Sequence, residues 1–431
     1  MEDTPMTKYR KNRSDAKGKR ARRRRRQHRP RRNHVYSLVE SLAREGIQEK
    51  LRDALKAERD EIVGRGHYEH AVTEPRSQQE ALPVVYRNGY HKKRCLVCGC
   101  GTVDVRVPRL ENPYESAIVP RYERMTPEMK ALLPELYLHG LSTGDFEPAM
   151  GWLLGEGAPL STATIVRLKA GWEAQYKAWK ERKLDKEYLY VWADGIYPKG
   201  GPIDENLCLL VVYGVTRTGT KELLALEEGY RESEESWKGV FHDLKERGLA
   251  WIGLVVGDGI KGLWKAVREE YPRSRRQRCW VHRMRNILDK VPDKAYDEVL
   301  EHLRAIYHAK SEKESRSLIR EFVARYQRVY PKAADCLMDS CESLLTYFSF
   351  PRCHWKSIKT TNPIESLFST VKLRTKAARR MRTRMTTVCL VFQVLKLSDR
   401  RFRRINGYTR VAPTIDAMNK SKHSSKLRNA A

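Results

Sequence analysis

Between Glu187 and His282 the chain alternates strand-length apolar runs with helical stretches, and the order of these pieces constrains the fold more than any other feature. YLYVWAD, CLLVVYGVT and KELLALEEGY follow one another directly. Next come SEESWKGVFHDLKERG, WIGLVVGD, GLWKAVREEYP and RRQRCWV. The apolar runs are far too short to cross a bilayer and read as buried strands. Ser233, followed by acidic residues, is a helix start. The resulting order βββαβαβ predicts three strands in antiparallel succession, then two joined by right-handed crossovers. Residues 283–350 carry a nearly continuous helical pattern, and the helical stretch TTVCLVFQVLKLSDRRFRRI closes the core. The fold class expected is α/β, with a mixed five-stranded sheet interrupted by an all-helical insertion and preceded by an α+β region.

Three carboxylates sit at telling places on this frame. Asp194 in VWADGIYPKG and Asp258 in LVVGDGIKGLW end strands and are each followed by Gly. Ligands of open α/β sheets gather at that edge. Glu365 in TTNPIESLFSTVKLRTK heads a helix whose first turn takes Pro363, with Asn362 as the expected cap. Acids on neighbouring parallel strands can share one metal, and a helix-borne Glu can complete the shell of a second. Two Mg²⁺ ions roughly 4 Å apart, replaceable by Mn²⁺, would activate an attacking oxygen and stabilise a leaving one in phosphodiester chemistry. An Asp-Gly after a strand is also an ordinary turn, so spacing alone leaves both readings open.

The formal net charge is +30. Residues 1–32 hold fifteen Lys/Arg against three Asp/Glu, residues 401–431 hold eight against one, and the stretch between them is also net positive. Basic tails alone would not give a basic middle, so the expected partner is nucleic acid, bound through its phosphates. A membrane surface is the weaker candidate, since no amphipathic basic helix accompanies the tail. The tail itself, with Arg22, Arg23, Arg24, Arg25 and Arg26, is expected to be disordered when free and to contact DNA. Lys372, Arg374, Lys376, Arg379, Arg380, Arg382 and Arg384 form an acid-free stretch just after Glu365, which suits backbone contact. Trp355 is open to two readings, a base-stacking ring or a core residue.

Upstream, residues 35–64 place Leu38, Leu42, Ile47, Leu51, Leu55 and Ile62 at helical spacing, and two helices broken near Gly46 are expected. VVYRNGYHKKRCLVCGCGTVDVRVPRL predicts a β-hairpin whose strand alternates Val103, Val105 and Val107 with Asp104 and Arg106. Residues 126–183 are helical in pattern, with Ser161 a cap for the second part. That arrangement fits either a helix-turn-helix variant or an ordinary helical hairpin. The expected divisions are 1–32 (basic tail), 33–125 (helices and hairpin), 126–184 (helical, DNA-binding), 185–282 (first part of the core), 283–358 (insertion), 359–407 (last part of the core) and 408–431 (basic tail).

Taken together, DGIYPK from Asp194, GDGIKGLWKAV from Gly257, QRCWVHRMRNIL from Gln277 and TTNPIES from Thr360 to Ser366 resemble, in this order, the bacterial insertion-sequence transposases of the Mutator type. The resemblance covers about residues 35–407. It implies an RNase H-like catalytic domain with Asp194, Asp258 and Glu365 as its acidic triad. It also implies recognition of terminal inverted repeats, hydrolytic nicking, and attack of the freed 3′-OH on target DNA. Partners implied are double-stranded DNA and a second copy of the chain, as homodimer or higher oligomer, with no membrane. Cysteines without scaffold spacing and a charged N-terminus lacking an apolar segment point to a reducing compartment, hence the cytoplasm and its nucleoid. Cys279 and His282 match the family's Cys-x-x-His motif. Two ligands are too few for structural zinc, so packing behind the site is favoured, with approach of His282 to the scissile phosphate as the alternative. His91, Cys95, Cys98 and Cys100 are four soft ligands on the hairpin, but their spacing is unusual for zinc, and zinc is not expected.

Overall fold

The computed structural model describes residues 34–65, 85–141, 170–198, 207–378, 381, 383–399 and 402–428, with a few single positions between 146 and 167. Arg22 to Arg26, Ser161 and the turn beside it, Arg379, Arg380 and Arg382 lie outside the described residues.

The N-terminal region opens with one helix, α1 (His34–Val63), where two were expected. Gly46 lies within it, and a side chain there would meet nothing. A single exposed Gly costs about 1 kcal/mol, too little to interrupt helical bonding on both sides. The helix stops instead at Gly64, whose φ of +67° lets its N–H turn back to the Asp60 carbonyl. Leu55 packs against Val103, Val105 and Val107. These valines belong to the expected hairpin, in which β2 (Arg94–Cys98) pairs antiparallel with β3 (Gly101–Val105) across the turn at Gly99 and Cys100. A flanking pair, β1 (Arg87–Tyr90) and β4 (Pro108–Leu110), extends it.

Five strands form the central sheet: β5 (Tyr188–Ile196), β6 (Cys208–Thr216), β7 (Lys221–Gly229), β8 (Ile252–Gly257) and β9 (Arg275–Arg278). Their spatial order is β7-β6-β5-β8-β9. β6 runs antiparallel to both β5 and β7, while β8 runs parallel to both β5 and β9. β5, β6 and β8 are buried along nearly their whole length. Both faces are covered, which is why these strands read as continuous apolar runs rather than alternating ones.

One face carries α4 (Glu234–Glu246) and α5 (Lys261–Glu270), whose Trp237, Phe241, Leu263 and Val267 meet Val191, Val212 and Val255. Ser233 caps α4, its hydroxyl accepting the Ser236 N–H. Full burial of Trp237 and Phe241 contributes roughly 2–3 kcal/mol each. The other face carries α2 (Pro127–Leu138), α3 (Gly171–Lys180), α12 (Asn362–Ala377) and α13 (Arg384–Asp399) in a larger core. Tyr176 and Trp179 of α3 lie against Phe392 of α13, so the helices after Thr126 share the core of the sheet. Residues 411–428 form a helix, α14 (Val411–Arg428), whose Val411 and Ile415 join the same core.

Between β9 and α12 lies the helical insertion, comprising α6 (Trp280–Leu288), α7 (Tyr296–His308), α8 (Glu312–Tyr326), α9 (Pro331–Met338), α10 (Cys341–Leu345) and α11 (Trp355–Ile358). It is fastened to the edge strand by a buried amide. Gln277 donates to the Leu344 carbonyl and accepts from the Tyr347 N–H, while the Trp280 indole donates to the same Leu344 carbonyl. Trp355 packs on Tyr347 and Phe348 with its indole N–H on the Phe350 carbonyl, which makes it part of this packing.

Candidate active site

Asp194 lies on β5 and Asp258 directly follows β8, so the parallel pairing of these neighbours brings both carboxyls to one end of the sheet. Asp258 accepts the Ile260 N–H at 3.0 Å, fixing the turn into α5. Asp194 is only 8% exposed. A third carboxyl, Glu232, joins them from the turn between β7 and α4. Oxygens of Asp194, Glu232 and Asp258 all lie within 4.8 Å of one another.

No ion pair within 4.0 Å reaches any of the three among the described residues. Burial, then the charges of Asp258 and Glu232, push Asp194 up to about 8. Burial and Asp258 push Glu232 up to about 7. The nearby guanidinium is Arg278, which donates to the Ser340 hydroxyl and lies against Gly259. The positive φ of Gly259 (+94°) and the absence of a side chain there admit that guanidinium.

Glu365 sits in the first turn of α12, behind Pro363. The N-cap is Thr361 and not Asn362, which is exposed and already helical. Thr361 caps no backbone N–H with its side chain, which is turned to the carboxylate instead. Its hydroxyl donates to Glu365 Oε1 at 2.5 Å and lies 3.2 Å from the Cys279 sulfur, which also accepts the Thr361 N–H. Cys279 is buried at the start of α6 and thereby ties the insertion's first helix to the helix bearing Glu365.

His282, one turn on, places Nε2 3.8 Å from Glu365 Oε1. Cys279, close beside the ring, is the largest influence on its pKa; burial opposes it, and Glu365 and Asp194 add to it, raising it to about 9. The His282 Nδ1 is buried without a well-aligned hydrogen bond, so the contact with Cys279 is one of proximity rather than a directed bond. Donor atoms of Cys279, His282 and Glu365 also fall within 4.8 Å of one another, although the sulfur is already engaged by Thr361. Glu365 is near enough that its charge, too, weighs against ionisation of Asp194.

The three carboxyls, Asp194 buried and Glu232 and Asp258 half-buried, present hard oxygen donors with no ion pair among the described residues, the donor set a Mg²⁺ or Mn²⁺ ion takes. The residues present therefore fit a divalent cation.

The profile described as "Transposase, Mutator family" matches residues 21–404, nearly the whole chain. The chain belongs to the Mutator family of transposases. It is 41% identical over 280 residues to the transposase for insertion sequence element IS6120 of Mycolicibacterium smegmatis, spanning 65% of this chain and 87% of that relative. It is 38% identical over 259 residues to the transposase for element IST2 of Acidithiobacillus ferrooxidans, spanning 59% and 88%. It is 31% identical over 339 residues to the transposase for element ISRM5 of Rhizobium meliloti, spanning 78% and 82%. All three relatives are transposases of insertion sequences, as is expected of a Mutator-family chain. No helix among the described residues is long and apolar enough to cross a membrane.

The basic stretch of this Mutator-family chain divides on inspection. Lys372 and Lys376 are exposed on α12, and Arg384 is exposed at the start of α13. Arg374 departs from the expected surface role: it is 3% exposed, stacked 4.1 Å over the Tyr137 ring and donating to the Leu141 carbonyl. Its place follows from helical spacing, since Leu367, Val371 and Arg374 fall on one buried face. On the hairpin, the Cys98 and Cys100 sulfurs stand 3.2 Å apart, while Cys95 is exposed and turned to Asp104. Glu232 is the residue that sequence reasoning missed. It lies in the polar run RESEES, which looks like any solvated helix start.

Proposed function

We propose that this Mutator-family chain is a DDE transposase with an RNase H-like catalytic domain. It binds the terminal inverted repeats of its element and performs metal-dependent cleavage and strand transfer, with Asp194, Asp258 and Glu365 as its acidic triad. The observation that carries this reading is the meeting of Asp194 and Asp258 from adjacent parallel strands, with Glu365 entering from the first turn of α12. The strand order β7-β6-β5-β8-β9 supports the fold assignment. The pairing of Glu365 with His282 and Thr361 supports its being held in place rather than left to solvent.

Asp194 and Asp258, with Glu365 opposite, would hold two Mg²⁺ ions, with Mn²⁺ as a substitute. Bound divalent cations supply an activated oxygen nucleophile and stabilise charge on the leaving oxygen. In the first step a water oxygen bonds to phosphorus, the bond from phosphorus to the 3′ oxygen breaks, and that oxygen leaves as a 3′-OH. In the second, the 3′-OH bonds to a target phosphorus, whose own 3′ oxygen departs with the proton. Thr361 orients the Glu365 carboxylate through its donated O–H. His282, whose pKa is raised by Cys279, Glu365 and Asp194, stands with its Nε2 3.8 Å from Glu365. Lys372 and Lys376, with Arg379, Arg380, Arg382 and Arg384, serve the DNA backbone, as does the N-terminal run Arg22 to Arg26. A second copy of the chain on paired ends completes the active assembly, in the bacterial cytoplasm.

One assay tests this: purified protein, Mg²⁺ and a DNA end from the element. Joined products are expected. Cuts without joining would make the protein a structure-specific nuclease, and binding without either would make it a regulatory DNA-binding protein of transposase descent.

A further inference from the structure

We propose that Glu232 is a fourth carboxylate of this site and a direct ligand of the divalent cation held by Asp194 and Asp258, admitted to that position by the bare backbone of Gly195. The proposal rests on the reading of Asp194 and Asp258 as a cation site, and its geometry does not involve Glu365.

Gly195 follows Asp194 on β5, and a Cβ built there would come 2.5 Å from the Glu232 carboxyl carbon and 2.6 Å from its Oε1. The carboxyl of Glu232 therefore fills the space that a side chain at position 195 would take. Any larger residue would expel it, so the Gly after Asp194 has a spatial task beyond making a turn.

The backbone that delivers Glu232 is held on three sides. Before it, Arg231 sits at φ +53°, a left-handed conformation that costs a non-glycine residue on the order of 1 kcal/mol. After it, Ser233 caps α4. Beside it, Gly262 of α5 lies so close that a Cβ would meet the Glu232 carbonyl oxygen at 3.0 Å and the Glu234 nitrogen at 2.8 Å. These constraints aim one carboxylate at two others.

A structural role would leave a different trace. A half-buried carboxylate kept for stability is normally held by Lys, Arg or backbone N–H groups, because removing its charge from water is costly otherwise. Glu232 has no ion pair among the described residues; the oxygens of Asp194 and Asp258 face it, and His282 acts on it only from beyond ion-pair distance. Three oxygen ligands leave room for water and a phosphate oxygen around a hexacoordinate ion.

The test is Mn²⁺ binding to the full chain, followed by calorimetry, for wild type, Glu232→Gln and Asp194→Asn. Glu232→Gln is expected to weaken binding by about tenfold or more, while the melting temperature of the metal-free protein holds or rises. Gly195→Ala, with every carboxylate still present, is expected to weaken binding in the same way by displacing Glu232. Asp194→Asn is expected to lose binding. If Asp194→Asn loses binding but Glu232→Gln stays within twofold of wild type, Glu232 is no ligand and the proposal is overturned. If Asp194→Asn also binds like wild type, the cation site itself is misplaced, and the proposal falls with it. Should Glu232→Gln not fold, unchanged affinity in a folded Gly195→Ala overturns the proposal equally.

Discussion

Asp194, Asp258 and Glu232 crowd three acids together with no ion pair among the described residues, whereas in the same cleft Thr361 bonds both Cys279 and Glu365, and His282 lies beside Glu365. On the first side, burial and mutual repulsion hold Asp194 and Glu232 far above ordinary carboxylate pKa values. On the second, a Thr hydroxyl, a buried sulfur and an imidazole hold one carboxylate in place. The contrast teaches where the fold relies on an outside partner. One side is crowded with acids that no ion pair relieves among the described residues, the donor set that suits a divalent cation, and the other is organised by the protein itself.

The largest expected effect breaks the crowded side. Asp258→Asn should reduce DNA cleavage by roughly a thousandfold, since several kcal/mol of charge stabilisation disappear. DNA affinity should hold or rise, because a negative charge near phosphate is gone; retained cleavage would mean the acids are misassigned. A smaller loss is expected on the organised side. Thr361→Val removes the hydroxyl that orients Glu365 and, at a fully buried position, should cost about 1–3 kcal/mol of stability. Cleavage should fall while Mn²⁺ affinity at the Asp pair changes little; equal loss of both would show that the two sides are one unit.

Acidity separates them further. Asp194 and Glu232 have folded pKa values raised above their unfolded ones, so the stability they contribute is complete below pH 4 and is lost as pH rises through about 7 and 8. The metal-free protein should therefore melt at lower temperature as pH climbs from 6 to 9. His282 acts in the same direction, its raised pKa giving stability that is lost near pH 9. Mg²⁺ should restore the loss most at the alkaline end, and Asp194→Asn should flatten the slope. A melting temperature that rises with pH would contradict the crowding. The smallest effect lies outside both sides, on α12. Replacing Lys372 and Lys376 together by Ala should lower the slope of log K against log salt by about 2, one per phosphate contact. Arg374→Met should leave that slope unchanged and lower thermal stability instead, because its guanidinium serves Tyr137.

The parts legible in the sequence were those whose signals are local. Apolar runs of strand length marked β5, β6 and β8, and a carboxylate at the end of such a run marked Asp194 and Asp258. Pro363 marked the helix of Glu365, although the residue before its first turn is Thr361, one earlier than expected, and the Thr361 hydroxyl goes to Glu365 rather than to a backbone N–H. Glu232 stayed hidden because its burial depends on Gly195 and Gly262, two residues distant in sequence whose missing side chains make the space. Gly46 misled because a glycine's cost is small against a helix anchored by Leu55. Arg374 was obscured by its charged neighbours, yet the apolar spacing of Leu367 and Val371 already pointed it inward.

The Gln277 amide that fastens the insertion to β9 has a bearing on biosynthesis. Glu365, α12 and α13 leave the ribosome only after the whole insertion has been made. A prematurely ended polypeptide carries both aspartates yet lacks Glu365, α12 and α13, so on the reading proposed above it should neither cut nor join DNA.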